Sequence, residues 1–380
     1  MATIHGVCDE RFAAVGKVLS DSIDSRADLG ASVAVVLDGE FVVDIWGGSK
    51  DADHTEPWAQ DTITNVWSTT KTMMALSALV LVDRGELDVF APVSKYWPEF
   101  AANGKSGVEV RHLLSHTSGV SGWAQPFVIE DLYDWEKSTA LLAAQEPWWE
   151  PGTASGYHLL SQGHLVGEVV RRITGQKLGA FFAQEIAGPL GADFHIGLAP
   201  EHHGRVSNVI PPAPTEIDFS TVDFTSVAMK SYTGPVPQAE VSWTSAWREA
   251  DISAANGHGN ARSVARVQSV VAGNGEVDGI RLLSPSTIDL IFQQQSQGID
   301  LVLAEPLQFG IGYALPPSME MANLPEGKIC FWGGWGGSKI VVDVGRNLTI
   351  AYMMNRMVSG LLGDPRASDL VDAVYASVGR

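Results

Sequence analysis

Ser68 and Lys71 stand three residues apart at the start of the most apolar stretch in this chain. In NVWSTTKTMMALSALVLVDRGEL, residues 65 to 87, they precede an almost unbroken apolar run from Met73 to Val82. If a helix begins near Ser68, positions i and i+3 share one face with Cβ atoms about 5–6 Å apart, and hydroxyl and amine meet. A Ser hydroxyl is a weak nucleophile until a base takes its proton, and Lys is such a base only where burial or nearby positive charge lowers its pKa from about 10. The apolar run supplies the burial. A helix N-terminus adds unpaired N–H groups and a positive dipole end, which favour negative charge developing on a carbonyl oxygen bound beside Ser68. On its own the S-x-x-K pattern is weak, because an N-capping Ser and a solvated Lys satisfy it equally well.

The elements that must position this pair are legible at both ends of the chain. ASVAVVLDGEFVVDIWGG (31 to 48) sets two β-branched runs around Asp38-Gly39, a hairpin signal, and SKIVVDVGRNLTIAYMMN (338 to 355) repeats the pattern around Gly345-Arg346-Asn347. Between them SQGHLVGEVVRRITGQ (161 to 176) spaces Leu165, Val166, Val169, Val170 and Ile173 as a helical stripe, with Gly175 as its stop. Residues 199 to 242, rich in Pro and Gly, carry no sustained period and read as a long surface excursion. The predicted class is α+β: an antiparallel sheet flanked by helices, built from residues 1–100 and 243–380, with a mostly helical region inserted over 101–242.

The 380 residues suffice for a substantial core, and the 45% apolar and 18% charged content is that of an ordinary globular chain. A formal charge of −19 repels nucleic acid and acidic membrane surfaces, so a small neutral or apolar ligand is the expected partner. Cys8 and Cys330 are too few for a disulfide framework or a zinc site. The N-terminus lacks a basic region followed by an apolar one, and the run from Met73 is about half of a membrane span, so a cytoplasmic location is expected.

S-x-x-K at a helix start is the signature of the penicillin-recognising serine enzymes, and the surrounding text resembles their class C β-lactamase branch. DRGELDVFAPVSKYWPEF (83 to 100), VEVRHLLSHTSGVSGW (108 to 123) and EPWWEPGTASGYHLLSQGHLVGEVVRRITGQ (146 to 176) are similar to long segments of that branch, over roughly residues 10 to 360. The resemblance implies a β-lactamase/penicillin-binding-protein-like fold and makes Tyr157, just before a helix, the second catalytic element. It places the third element in WGGWGGSKIVVDV (332 to 344). Within the superfamily the text looks most like the family VIII carboxylesterases. Where β-lactamases carry Lys-Thr-Gly, this chain is read as carrying Trp335-Gly336-Gly337, which replaces a cation for the substrate carboxylate with an apolar ring. Tyr157-His158 is followed by Leu159 rather than Asn, and Trp332 stands where many of these esterases have His.

The roles so implied are Ser68 as nucleophile and Lys71 and Tyr157 as an acid/base pair, with Lys71 either the base itself or the cation that keeps Tyr157 ionised. Backbone N–H groups of Ser68 and Ser338 form the implied oxyanion hole, and Gly336 and Gly337 let substrate approach the strand beside Trp335. The implied activity is hydrolysis of carboxylic esters with short to medium acyl groups. A β-lactamase or D-amino-acid peptidase, and an acyltransferase using the same acyl-enzyme, are the alternatives. Trp123, Phe127, Tyr133, Trp135, Trp148 and Trp149 suit an apolar ligand wall, core packing or a homo-oligomer contact. His112 and His116 are expected to tie loops together, and adjacent His202 and His203 are poorly spaced for one metal, so no metal or cofactor is expected. No G-x-S-x-G pentapeptide occurs, which argues against an α/β-hydrolase.

Overall fold

The β-branched runs from the two chain ends meet in one six-stranded antiparallel sheet. In the computed structural model, which describes residues 2–212, 223–235, 238–319 and 321–379, the strands are β1 (Ile4–Cys8), β2 (Gly30–Leu37), β3 (Glu40–Gly48), β4 (Ile329–Gly333), β5 (Lys339–Asp343) and β6 (Leu348–Met354). They lie in the order β1-β3-β2-β6-β5-β4. Both expected hairpins form. Asp38 (φ 53°) and Gly39 (φ 87°) adopt the two positive φ values of the tight turn between β2 and β3. The last strand, β6, runs antiparallel to β2 with Ala351 opposite Ala34, and so joins the two ends of the chain.

β6 is buried along its whole length and β2 along all but its last residue, as a sheet covered on both faces requires. Helices α1 (Ala13–Asp24) and α6 (Pro365–Val378) pack on each other and on this sheet, and α5 (Ala261–Ala272) packs on β2, β5 and β6. The segment after Ser68 is α2 (Thr70–Asp83), buried at every position from Thr70 to Leu81. A helix apolar all round belongs at the centre of a fold. It packs against α5 and against α4 (Ser161–Thr174), the helix marked out by the apolar stripe, which Gly175 stops in the left-handed conformation. α3 (Trp135–Ala144) lies against α4, and one hydrophobic core runs from Val33 and Val341 in the sheet to Leu165 and Val169 in α4.

Part of the Pro/Gly-rich 199–242 stretch falls at 213–222 and 236–237, outside the described residues. Its described parts are not all surface: Val206–Ser207 is buried and pairs with Ile63–Asn65, which pairs in turn with His258–Gly259. This small sheet brings residues 254–257 alongside the start of α2, with Val66 donating its N–H to Gly257 O at 2.9 Å. Among the described residues no helix is long and apolar enough to cross a membrane.

The turn from β4 to β5 is fixed by a buried charge cluster. Arg366 on α6 donates to Asp28 (2.9 Å), to Asp364 (2.6 Å) and to Gly336 O (3.1 Å), while Tyr352 donates to Asp28 at 2.7 Å. A Cβ on Gly337, whose φ is 129°, would sit 2.0 Å from Asp364 Oδ2, and one on Gly336 would meet Met357 at 2.5 Å. The glycine pair thus keeps room for protein neighbours at this cluster. Gly337→Ala is expected to destabilise the chain by more than about 1 kcal/mol, read as a lowered denaturation midpoint, because the side chain meets both a strained φ and a buried carboxylate.

Candidate active site

Ser68 lies in a single tight turn, Trp67–Thr69, that leads into α2. Its side chain caps no helix, which leaves the hydroxyl for other work. The turn is strained at Trp67, whose φ of 48° is rare for a bulky residue. Aromatic neighbours hold it there: the Trp67 ring packs on Trp335 at 5.0 Å and on Trp247 at 5.5 Å, and Trp247 donates to Asn65 at 2.9 Å.

One turn on, the Lys71 amine stands 3.1 Å from Ser68 Oγ, 2.8 Å from Leu159 O and 3.0 Å from Ala254 O. Lys71 is 2% exposed, and burial lowers its pKa well below the ordinary 10.5. No carboxylate is among these partners to restore the charge. The two carbonyls come from separate segments, and Gly163 explains how they converge: a Cβ there would lie 2.5 Å from Ala254 N, so only glycine lets α4 approach that strand of chain.

Tyr157, in the loop before α4, completes the cluster. Its ring lies 4.8 Å from the Lys71 amine, its hydroxyl accepts from Trp332 Nε1 at 3.0 Å, and it shares a hydrogen bond with Ser68. Burial pushes the phenol pKa well above 10, outweighing the hydrogen bonds from Ser68 and Trp332, and the Asp300 charge adds to the rise. Of the two roles left open for Lys71 from sequence, keeping Tyr157 ionised is not the one these surroundings favour: desolvation, the largest effect on the phenol, favours its protonated form. The loop is fixed from beneath. Asp300 Oδ1 accepts N–H bonds from Tyr157 (3.0 Å), Val302 (2.9 Å) and Leu303 (3.0 Å). His116 accepts from His158 N at 3.0 Å, His158 bonds Ser118 Oγ at 2.6 Å, and the His116 ring stacks near Tyr157 at 4.6 Å. His116 thus ties loops together, while His112 accepts from Glu109 N and caps its own helix.

These groups open on a cavity of about 260 Å³, lined by Ser68 and Tyr157 together with Trp67, Leu159, Leu160, Tyr232, Pro235, Ala255, Trp332, Gly333, Trp335, Leu361 and Leu362. No lining residue is charged. Of the third-element residues, Trp335 is in this wall, but Gly336, Gly337 and Ser338 are not. Ser338 Oγ instead donates to Val66 O at 2.8 Å and meets Thr69 Oγ1 at 2.9 Å, so it braces the turn that carries Ser68. Of the earlier triplet, Trp332 and Gly333 also line the cavity, whereas Gly334 packs against the turn before α2, where a Cβ would lie 2.1 Å from Val66 O. The six aromatic residues between 123 and 149 do not line the cavity: Trp123 stacks on Phe127 at 4.4 Å, and Trp135 donates to Glu168 at 2.8 Å. Among the described residues no group of three His, Cys, Asp or Glu is arranged to hold a metal ion.

The Beta-lactamase family model matches residues 17–373. The chain belongs to this family. The esterase/beta-lactamase LipL of Mycobacterium tuberculosis is 34% identical over 375 residues, covering 94% of this chain and 84% of that protein. Among solved structures, a family VIII carboxylesterase superposes with a TM-score of 0.93 at 37% identity, covering 99% of this chain and all of the other. A penicillin-binding protein homologue from Caulobacter crescentus does so with a TM-score of 0.89 at 35% identity, covering 99% of this chain and all of the other. These likenesses span nearly the whole chain, the Ser68 turn and the Tyr157 loop included.

Several groups of this Beta-lactamase-family site escape sequence reasoning. Asp300 lies in an unremarkable GIDLVLAEP stretch, the Lys71 acceptors are backbone carbonyls with no side-chain signature, and Leu361 and Leu362 sit in a loop far from every motif. Trp332 left a trace only as a departure from the expected His. Asp300→Ala is expected to lose about 1–3 kcal/mol or more, since three N–H donors lose their acceptor, whereas Asp300→Asn keeps an oxygen there and loses less. Urea denaturation of both variants checks this; equal stability of the two would contradict the role assigned to Oδ1.

Proposed function

We propose that this chain is a carboxylesterase that cleaves uncharged esters with short to medium acyl groups through an acyl-enzyme on Ser68. The single observation that carries the reading is an amine with its pKa lowered by burial, 3.1 Å from a hydroxyl that opens on a charge-free cavity. Relatives named as esterases, LipL and the family VIII carboxylesterase among them, support the substrate class.

A neutral Lys71 amine has two N–H donors and one lone pair. Leu159 O and Ala254 O take the donors, which leaves the lone pair aimed at the Ser68 hydroxyl. As Ser68 Oγ bonds to the ester carbon, its proton passes to Lys71, and the carbonyl oxygen becomes an oxyanion. The Ser68 N–H is one donor to that oxyanion. For the second, the N–H of Trp335 is better placed than that of Ser338, because Trp335 belongs to the cavity wall and Ser338 does not. The carbon–oxygen bond to the alcohol then breaks, and the leaving oxygen takes the proton from the Lys71 ammonium. Tyr157, a protonated phenol between them, relays it by giving its own proton and accepting the one from Lys71. Water repeats the sequence on the acyl-enzyme and frees Ser68.

The cavity argues against acidic drugs and peptides as main substrates, because a carboxylate there would be desolvated without a cation in the wall. Lys339 packs behind Gly333 rather than lining the cavity, and burial lowers its pKa to about 7.

Ser68→Ala is expected to reduce hydrolysis of p-nitrophenyl butyrate by about a thousandfold or more; retained turnover in the pure variant would overturn the assignment. Lys71→Ala should cost about 10²–10⁴-fold, and Lys71→Arg as much, since a guanidinium stays protonated. In the unmodified chain, kcat/KM should rise with pH as Lys71 loses its proton and level off well below 10.5, because only the neutral amine is active. Turnover of a chromogenic cephalosporin, measured alongside, should fall far below that of the ester.

A further inference from the structure

Leu362 lines both the catalytic cavity and a neighbouring surface groove. The groove has a volume of about 200 Å³ and is lined, besides Leu362, by Glu305, Pro306, Leu307, Ser318, Met319 and Gly363. The residue is only half-buried, as a removable partition would be. The strap that carries it is fixed at both ends and loose between. Val358 N–H bonds Gly336 O at 3.0 Å on one side, and the Asp364 carboxylate is held by Arg366 at 2.6 Å on the other. From Ser359 to Gly363 no backbone hydrogen bond to the described residues is made, and Gly363, at φ 76°, has open space around its Cα. Swinging Leu361 and Leu362 outward therefore breaks no hydrogen bond.

The volumes give the partition a use. The catalytic cavity alone, at about 260 Å³, falls short of the roughly 300 Å³ at which ligand pockets begin, whereas the cavity and groove together fall within that range. Pro306, Leu307, Met319 and Gly363 make most of the groove lining apolar, so what continues into it from the ester is alkyl chain, not a second carboxylate.

We propose that this groove is a second subsite for the distal alkyl chain of the substrate and that Leu362 is the gate between it and the catalytic cavity, a deepening that rests on the esterase reading above. The chain enters from the acyl side or from the alcohol side of the ester, and both place the same methylene groups against Leu307 and Met319.

The test compares the unmodified chain with Leu362→Ala on two ester series, p-nitrophenyl acetate to decanoate and ethyl to decyl butanoate. In one series kcat/KM for the longest member should rise about tenfold relative to the shortest, each added buried methylene being worth about fourfold. The responding series identifies which side enters. Adding Met319→Asp to Leu362→Ala should remove the gain by charging the far wall. A parallel response of short and long esters, or a gain untouched by Met319→Asp, overturns the proposal. A readout without turnover keeps the two readings apart: binding of 1-octanol and 1-butanol to Ser68→Ala protein, followed by tryptophan fluorescence. Leu362→Ala in that background should tighten octanol about tenfold relative to butanol. An unchanged ratio rejects the gate, whereas absent hydrolysis of every ester by the unmodified chain rejects the esterase reading.

Discussion

The whole site depends on keeping one amine out of water. An exposed Lys stays an ammonium at neutral pH and takes no proton from a Ser hydroxyl. Lys71 is 2% exposed, has carbonyls and a hydroxyl as partners, and sits where α2 is surrounded by the sheet-side helix α5 and the inserted helix α4. Burial of this kind works against stability, because the unfolded chain gains a solvated charge that the native chain lacks. The long apolar helix behind Lys71 offsets that cost, with Met73, Met74, Leu76, Leu79 and Val80 all fully enclosed. The apolar run from Met73 to Val82 and the chemistry at its lip are thus one device.

A second constraint is the angle at which the Ser68 hydroxyl is presented. Trp67 occupies a backbone region that costs about 1–3 kcal/mol for a non-glycine residue, and the distant neighbours that enforce it come from two parts of the chain, around Trp247 and around Trp335 to Ser338. Trp247 and Asn65 clamp it on one side, Trp335 on another, and Ser338 ties the preceding carbonyl of Val66 to the edge of the sheet. The β4–β5 turn is held from behind by Arg366, Asp364 and Asp28. The sheet edge, the charge cluster and the strained turn therefore act as a stack, each layer positioning the next.

What sequence revealed and what it concealed follow from the range of the interactions. The two hairpins, the α4 stripe with Gly175, and the Ser68–Lys71 spacing are local patterns, and each appears in place. The third element is hard to place from sequence for a physical reason: Trp332-Gly333-Gly334 and Trp335-Gly336-Gly337 are the same triplet twice, and only the folded strand end decides which of their residues border the cavity. Gly333 ends β4 opposite Lys339; Trp332, Gly333 and Trp335 border the cavity, while Gly336 and Gly337 face Met357 and Asp364. Asp300 and Leu362 act across more than a hundred residues of chain, on Tyr157 and on the cavity, and nothing near them in sequence carries that information. The protonation of Tyr157 was equally hidden, because desolvation depends on enclosure by the entire fold.

In the proposed mechanism, the lack of charge in the cavity wall selects substrates twice over. A carboxylate entering beside Ser68 would be poorly solvated there, which weakens its binding. It would also stand within reach of Lys71, and an opposite charge within about 4–6 Å raises a lysine pKa by about 1–3 units. The base would then take up a proton from solvent and cease to accept one from Ser68. A neutral ester leaves the amine as the protein set it. Exclusion of acidic substrates therefore needs no repulsive residue: the unpaired, desolvated amine that makes Ser68 reactive is the same feature that an anion switches off.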